Sequence, residues 1–280
     1  MDSSNSTALE KGKAQEPSIR VYNRDARPTL IYLPGVHGDW TLVTGFRRAV
    51  GTEVCFVEIT YPRTVDASLD DYAAAIEGAL TRERIQEGWL LGESFGSQVV
   101  WEILRRGNFQ ANGVILAGGF GRHPAPWMAS AAMLLTGRST KGVLNFGLQI
   151  YALFARFRFR RSPETLASIR EFVARRTGED WKAMRHRFEL VAQNDPRPAV
   201  RSASLPIYAL TGFFDPIVPW AAARRALLKD CPRLKEHRVI WPADHNVLGT
   251  APAAAAKQIL SWIKQPGPGR HRPVEGLCPH

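Results

Sequence analysis

Ser94 stands in Gly92-Glu93-Ser94-Phe95-Gly96, a G-x-S-x-G pentapeptide that could carry nucleophilic chemistry. A serine hydroxyl attacks a carbonyl only when a base takes its proton, and that base needs a carboxylate to orient it. Two later segments offer such groups. Phe213-Phe214-Asp215-Pro216-Ile217-Val218-Pro219 holds Asp215, and Pro242-Ala243-Asp244-His245-Asn246-Val247-Leu248 holds His245. Asp244 competes with Asp215 for the ring of His245. Side chains of adjacent residues diverge, so Asp215 is the better partner. A third requirement is a set of donors for the negative oxygen that forms during attack. Pro34-Gly35-Val36-His37-Gly38-Asp39-Trp40 is a loop that lets backbone approach a substrate closely. The Val36 amide is the first choice of donor there, together with that of Phe95 after the nucleophile; His37 is the alternative.

These residues need elements that place them. Gly88-Trp89-Leu90-Leu91 reads as a buried strand before the serine, and Ser97 to Arg106 has helical spacing after it. Glycines two residues either side of Ser94 leave room for an abrupt strand-to-helix turn. Thr29 to Leu33 is an apolar strand running into the Val36 loop. Leu205 to Gly212 is a strand that ends just before Asp215, and Arg238 to Trp241 is a last short strand before His245. Ile19–Tyr22, Glu53–Ile59 and Gly113–Gly118 read as further strands. Helices are predicted over Trp40–Val50, Ser68–Thr81, Pro219–Leu228 and Pro252–Lys264, the last with proline at its first position. Strands alternating with helices imply a parallel sheet.

Four motifs in this order resemble the α/β-hydrolase superfamily, as a capped serine esterase or lipase: L-P-G-x-H-G, G-E-S-F-G, G-F-F-D-P-I-V-P and D-H-N. The resemblance runs from about Thr29 to Trp262. It implies a mostly parallel central sheet flanked by helices, with Ser94, Asp215 and His245 at the strands' C-terminal edge. It also implies a helical cap inserted after the sixth strand. The chain itself has about 80 residues between Phe120 and Arg201, too many for one crossover helix. The expected division is therefore a core of residues 17–120 and 201–264, a helical cap over 121–200, a disordered tail over 1–16 and a flexible one over 265–280. Trp127, Met128, Phe146, Tyr151 and Phe154 are the candidates for lining an apolar substrate pocket under that cap, among residues that also pack the cap itself.

Composition narrows the class. The chain has 280 residues, 45% of them hydrophobic, and no uncharged apolar run long enough to span a bilayer. No secretory signal is visible, and three scattered cysteines (Cys55, Cys231, Cys278) speak against a disulfide framework, so a cytoplasmic protein is expected. The formal charge of +11 has its densest stretch at Phe154 to Arg161. That stretch reads first as a solvated cap face whose arginines pair with Glu164 and Glu171, and only second as a rest for an anionic membrane surface. No nucleic-acid motif accompanies the charge. No pair of histidines has metal-site spacing and no loop has nucleotide-binding form, so neither metal nor organic cofactor is expected. His37 is expected to brace its loop by hydrogen bonds, and Glu93 to be held by the following helix or a neighbouring loop. The expected reaction is hydrolysis of a small-molecule carboxylic ester through an acyl-enzyme on Ser94. A thioester, lactone or C–C bond is the alternative on the same groups, and a non-catalytic ligand-binding protein stands further off. The oligomeric state is left open.

Overall fold

A computed structural model describes residues 16–124, 157–160 and 162–264. Among these described residues seven strands form one sheet: β1 (Ser18–Tyr22), β2 (Thr29–Leu33), β3 (Cys55–Thr60), β4 (Glu87–Glu93), β5 (Gln110–Ala117), β6 (Ile207–Gly212) and β7 (Leu234–Ile240). Their order across the sheet is β1-β3-β2-β4-β5-β6-β7. Only β1 runs antiparallel, pairing Ser18 with Thr60 and Tyr22 with Phe56. The fold is the mostly parallel, helix-flanked sheet that the sequence implies.

Each central strand is buried on both faces, and the alternation of its side chains divides the core in two. Ile31, Leu33, Val57 and Leu90 point to one side, where α2 (Leu69–Arg82) and α3 (Gly96–Arg106) contribute Ile76, Leu80, Val99 and Ile103. Leu30, Tyr32, Phe56 and Leu91 point to the other, where α1 (Thr44–Val50) and the C-terminal helix supply Phe46, Val50, Ile259 and Trp262. Apolar area removed from water on this scale is the dominant favourable term in folding. α2 begins with a capping box, Ser68 accepting from the Asp71 amide while Asp71 accepts from that of Ser68. α1 is shorter than the periodicity predicts. It starts at Thr44 because Asp39 takes the amide and hydroxyl of Thr41, holding residues 40–43 in a turn.

Between β5 and β6 lie α4 (Pro163–Ala174), α5 (Gly178–Gln193) and α6 (Arg197–Ser202). Among the described residues this insertion follows the fifth strand, β5. After β6 come α7 (Trp220–Asp230), β7, the short α8 (Val247–Thr250) and α9 (Pro252–Ile263), which opens with Pro252. Neither Glu164 nor Glu171 pairs with Arg158 or Arg160, the two arginines of the basic stretch among the described residues. Glu164 meets Arg48, and Glu171 meets Arg175 one turn along α4. Arg158 instead donates to the Pro242 carbonyl at 2.7 Å and lies over the ring of Phe214. Among the described residues no helix is long and apolar enough to cross a membrane.

Strand order reverses between β3-β2 and β2-β4, so the loops leaving β2 and β4 diverge from neighbouring strands and open a crevice at their C-terminal ends. There α3 crosses β2 so closely that a Cβ on Gly96 would stand 2.1 Å from the Leu33 carbonyl oxygen. Overpacking against backbone cannot relax by a rotamer change. Gly96→Ala is expected to lower stability by at least about 2 kcal/mol in urea titration, against less than about 0.5 kcal/mol for an exposed α3 substitution such as Arg105→Ala. Equal midpoints for the two variants would show that the crossing is not tight.

Candidate active site

Ser94 sits between β4 and α3 with φ at 49°, the left-handed region that an L-residue adopts at a cost of about 1–3 kcal/mol. Three bonds hold it there: its amide donates to the Ala117 carbonyl at 3.1 Å, and its own carbonyl accepts from the Ser97 amide and hydroxyl. Its hydroxyl is thereby pushed out of the strand toward the crevice. His245 Nε2 lies 2.9 Å from Ser94 Oγ, and His245 Nδ1 lies 2.8 Å from Asp215 Oδ2. The other oxygen of Asp215 accepts from the amides of Ile217 and Val218, at 2.9 and 2.8 Å. With its side chain wholly buried and every contact a donor, the Asp215 carboxyl is held facing the ring. Its neighbour in the competition, Asp244, faces away: it accepts from the Asn246 amide and the Thr250 hydroxyl and so shapes the loop that carries His245.

Burial works against protonation of His245, but the Asp215 charge and hydrogen bond outweigh it, and the imidazole pKa lies above its ordinary 6.5. The Nδ1–H then belongs to the Asp215 bond, leaving the Nε2 lone pair for the Ser94 hydroxyl. The arrangement can deprotonate an oxygen nucleophile and hold the imidazolium that results.

The loop after β2 is a tight turn, with the Gly38 amide donating to the Gly35 carbonyl at 3.0 Å. A Cβ on Gly35 would lie 3.4 Å from Ser94 Cβ, so the turn passes directly over the serine. Val36 and His37 are its central residues. Among the described residues no turn or loop carbonyl accepts the N–H of Val36 or of Phe95. Phe95 precedes the first turn of α3, whose dipole adds positive potential at the same point. Trp127, Met128, Phe146, Tyr151 and Phe154 lie outside the described residues. A cavity of about 420 Å³ opens beside the His245 loop, lined by Arg158, Phe159, Ser162, Phe214, Pro242 and Thr250.

His37 braces its loop as expected, its ring hydrogen-bonded to the Asp39 backbone, while its Nε2 is buried with no hydrogen-bond partner among the described residues and the ring packs edge-on against Phe172 of α4. One sequence expectation needs correction. Glu93 is held neither by the helix nor by a loop. Its carboxyl takes a short hydrogen bond from the hydroxyl of Tyr32, on the neighbouring strand β2, and lies 4.0 Å from His37 Nε2. Sequence reasoning also missed what holds the turn: Arg187 and Arg176, both from the insertion. The one local signal was the odd position of Arg187 two residues from Arg185, which places the pair on different sides of α5.

The profile of the Alpha/beta hydrolase family matches residues 33–258. The chain belongs to this family. No curated protein matches it by sequence. Among solved structures, the thermophilic esterase from Thermogutta terrifontis superposes with a TM-score of 0.72 at 18% identity, over 88% of this chain and 92% of that one. An esterase from Exiguobacterium antarcticum gives 0.71 at 12% identity, over 89% and 95%. The enol-lactonase from Burkholderia xenovorans LB400 gives 0.71 at 16% identity, over 88% and 95%. Likeness at such identities is one of fold.

Burial raises Glu93 from 4.5 to about 7, with the Tyr32 bond and His245 pulling it partly back. Burial lowers His37 from 6.5 to about 4, with Arg176 and Arg187 adding to the effect. Near neutrality His37 is therefore neutral, while Glu93 is close to the midpoint of its own titration. A raised carboxyl pKa contributes stability that is complete below 4.5 and lost as pH climbs through about 7. The lowered His37 contributes in the opposite sense, above 6.5 and lost as pH falls toward about 4. Glu93→Gln removes only the first contribution. Its urea midpoint should match wild type near pH 4.5 and overtake it by pH 8, by on the order of 3 kcal/mol at most. A difference between the two proteins that stays constant across that range would rule out a buried, titrating Glu93.

Proposed function

We propose that this chain is a serine hydrolase that cleaves a small-molecule carboxylic ester through an acyl-enzyme on Ser94. The observation that carries the reading is the continuous relay from Ser94 Oγ through His245, at 2.9 and 2.8 Å, to Asp215. Membership of the hydrolase family supports it. In the proposed cycle His245 Nε2 takes the Ser94 proton as Oγ bonds to the ester carbonyl carbon, and the carbonyl π electrons move to oxygen. The Val36 and Phe95 amides receive that oxyanion, with the His37 amide as the alternative donor. Collapse of the tetrahedral intermediate breaks the C–O bond, and His245 returns its proton to the leaving alcohol. Water, deprotonated by His245, then attacks the acyl carbon and frees the acid and Ser94.

Asp215 holds the ring in one tautomer throughout and stabilises the imidazolium without taking its proton. Every group in the cycle is a side chain or amide of this chain, so the reaction as drawn calls on no metal, organic cofactor or nucleic acid. The insertion would act as a substrate-selecting cap, its apolar residues facing the acyl or alcohol part. A lactone is an internal ester and is opened by the same steps.

Two outcomes test this. Wild type is expected to hydrolyse p-nitrophenyl esters, and Ser94→Ala to lose at least about 10³ in kcat, with Asp215→Asn losing a comparable factor. Only neutral His245 accepts the serine proton, so kcat/KM should rise with pH through a midpoint above 6.5. Retention of activity in Ser94→Ala, or a rate that falls from pH 6 to 8, would overturn the assignment.

A further inference from the structure

The turn over Ser94 is not held by its own loop. Arg187, in the middle of α5, is 2% exposed and extends its guanidinium beneath that turn. Nη1 donates to the Val36 carbonyl at 2.8 Å, Nη2 to the Pro62 carbonyl at 2.9 Å and Nε to the Tyr72 hydroxyl at 3.3 Å. The same plane lies over the rings of Tyr61 and Tyr72. Arg176, between α4 and α5, donates to the His37 carbonyl at 3.3 Å and is ion-paired with Asp39. Both central carbonyls of the turn are therefore taken by arginines of the insertion.

Gly38 shows how closely the fit is made. Its φ is 80°, and a Cβ there would stand 2.4 Å from Arg187 Nη1. The guanidinium occupies the space that any other residue at this position would fill. The peptide between the two central residues of a turn can rotate with little change elsewhere, since rotation of that one unit is what separates type I from type II turns. A carbonyl locked to a buried guanidinium cannot make that rotation. The N–H of that same peptide unit, which is that of His37, then keeps one direction relative to Ser94, and the turn that carries the Val36 N–H is held in one form.

The charges reinforce the geometry. Arg176 is matched by Asp39, whose carboxyl, despite burial that would raise it, is brought down to about 2 by His37 and by that arginine. Arg187 has only neutral hydrogen-bond acceptors among the described residues. Burying a cation without a counter-ion is costly unless the site gains from its field. A turn that receives an oxyanion gains from it, because charge developing in a water-poor crevice is stabilised by a fixed positive potential.

We propose that Arg187, assisted by Arg176, is a positioning residue for the oxyanion site, so that the insertion and the core build that site jointly. This rests on the hydrolase reading above. The test compares wild type with Arg187→Met, Arg187→Lys and Arg176→Gln, using a p-nitrophenyl ester, a boronic acid of matching acyl shape and a fluorophosphonate to count reactive Ser94 sites. Per reactive site, Arg187→Met should lose about 10²-fold in kcat with KM within about threefold, since the interaction matters only as the oxyanion forms. Affinity for the tetrahedral boronate should fall by the same factor as kcat/KM. Arg187→Lys keeps the charge but cannot bridge both carbonyls, and should lose about tenfold.

Should Arg187→Met fail to fold, Arg187→Lys and Arg176→Gln carry the test, because each leaves the other arginine in place. Folded variants that keep wild-type kcat per site would overturn the proposal while leaving the esterase reading intact. A rise in KM alone would also overturn it, making Arg187 a substrate ligand. Absence of both ester hydrolysis and fluorophosphonate labelling in wild type would overturn both.

Discussion

The closeness of α3 to the end of β2 is the constraint from which the rest of the site follows. A helix that starts within contact distance of the Leu33 carbonyl leaves Ser94, two residues before it, no extended conformation, and its φ of 49° is the result. Strain of that kind persists only where the surroundings over-determine it. Here they do: β4 is paired on both edges, its side chains are buried on both faces, and the Ser94 amide is bonded across to β5. The same crossing sets the distance between the serine and the turn that leaves β2. Two functional segments are therefore placed by one contact between a glycine and a carbonyl. Asp215 and His245 reach the serine because β5, β6 and β7 follow in order on the same side of the switch point.

Behind the serine the protein buries an unusual density of titratable groups, and the environment separates them by sign. Tyr32, His37, Glu93 and Tyr61 are all buried near the turn. Desolvation acts alike on all of them, favouring neutral forms, so what distinguishes them is the company each keeps. Glu93 faces a phenol and a neutral imidazole and holds its proton to about pH 7. Asp39 faces a guanidinium and is ionised throughout the physiological range. His37 lies between two arginines and stays neutral, while His245, facing Asp215, is pushed the other way. Two histidines in one crevice thus differ in basicity because burial prevails at His37, where Asp39 is opposed by two arginines, whereas at His245 the Asp215 partner outweighs burial.

The contrast between what the chain announces and what it conceals has a physical basis. The Ser94, Asp215 and His245 positions are legible because each depends on local backbone: a glycine-flanked bend, and two loops that leave apolar strands. The sheet is legible for the same reason, since strands buried on both faces read as continuous apolar runs. Arg187 and Arg176 are not, because their partners are carbonyl groups 151 and 139 residues away, and a carbonyl has no sequence identity. The Tyr32–Glu93 bond is hidden similarly: it joins neighbouring strands 61 residues apart, and nothing in either segment marks the pairing. The short α1 was overestimated because Trp40 and Val43 keep the apolar spacing of a helix while Asp39 and Thr41 form a competing turn. Local polar side chains can outbid periodicity where a helix begins.

The basic composition of the chain takes on a different meaning once its arginines are located. A formal charge of +11 counts residues and not their surroundings. Arg47 is turned inward onto Glu58, Arg106 is held by Glu77 and Asp70, and Arg176 is buried against Asp39. Arg187 is enclosed, and among the described residues its hydrogen-bond partners include no acid. Arg158 lies on an aromatic ring and caps a carbonyl of the His245 loop. Guanidinium suits these places because it presents several donors in one plane and is weakly hydrated, so it bridges carbonyls and rings that lysine could not. The excess of positive charge is thus partly an internal building material of the insertion and its seat. An anionic partner need not be invoked to explain it, and the part of the field that matters for chemistry is the part aimed at the turn above Ser94.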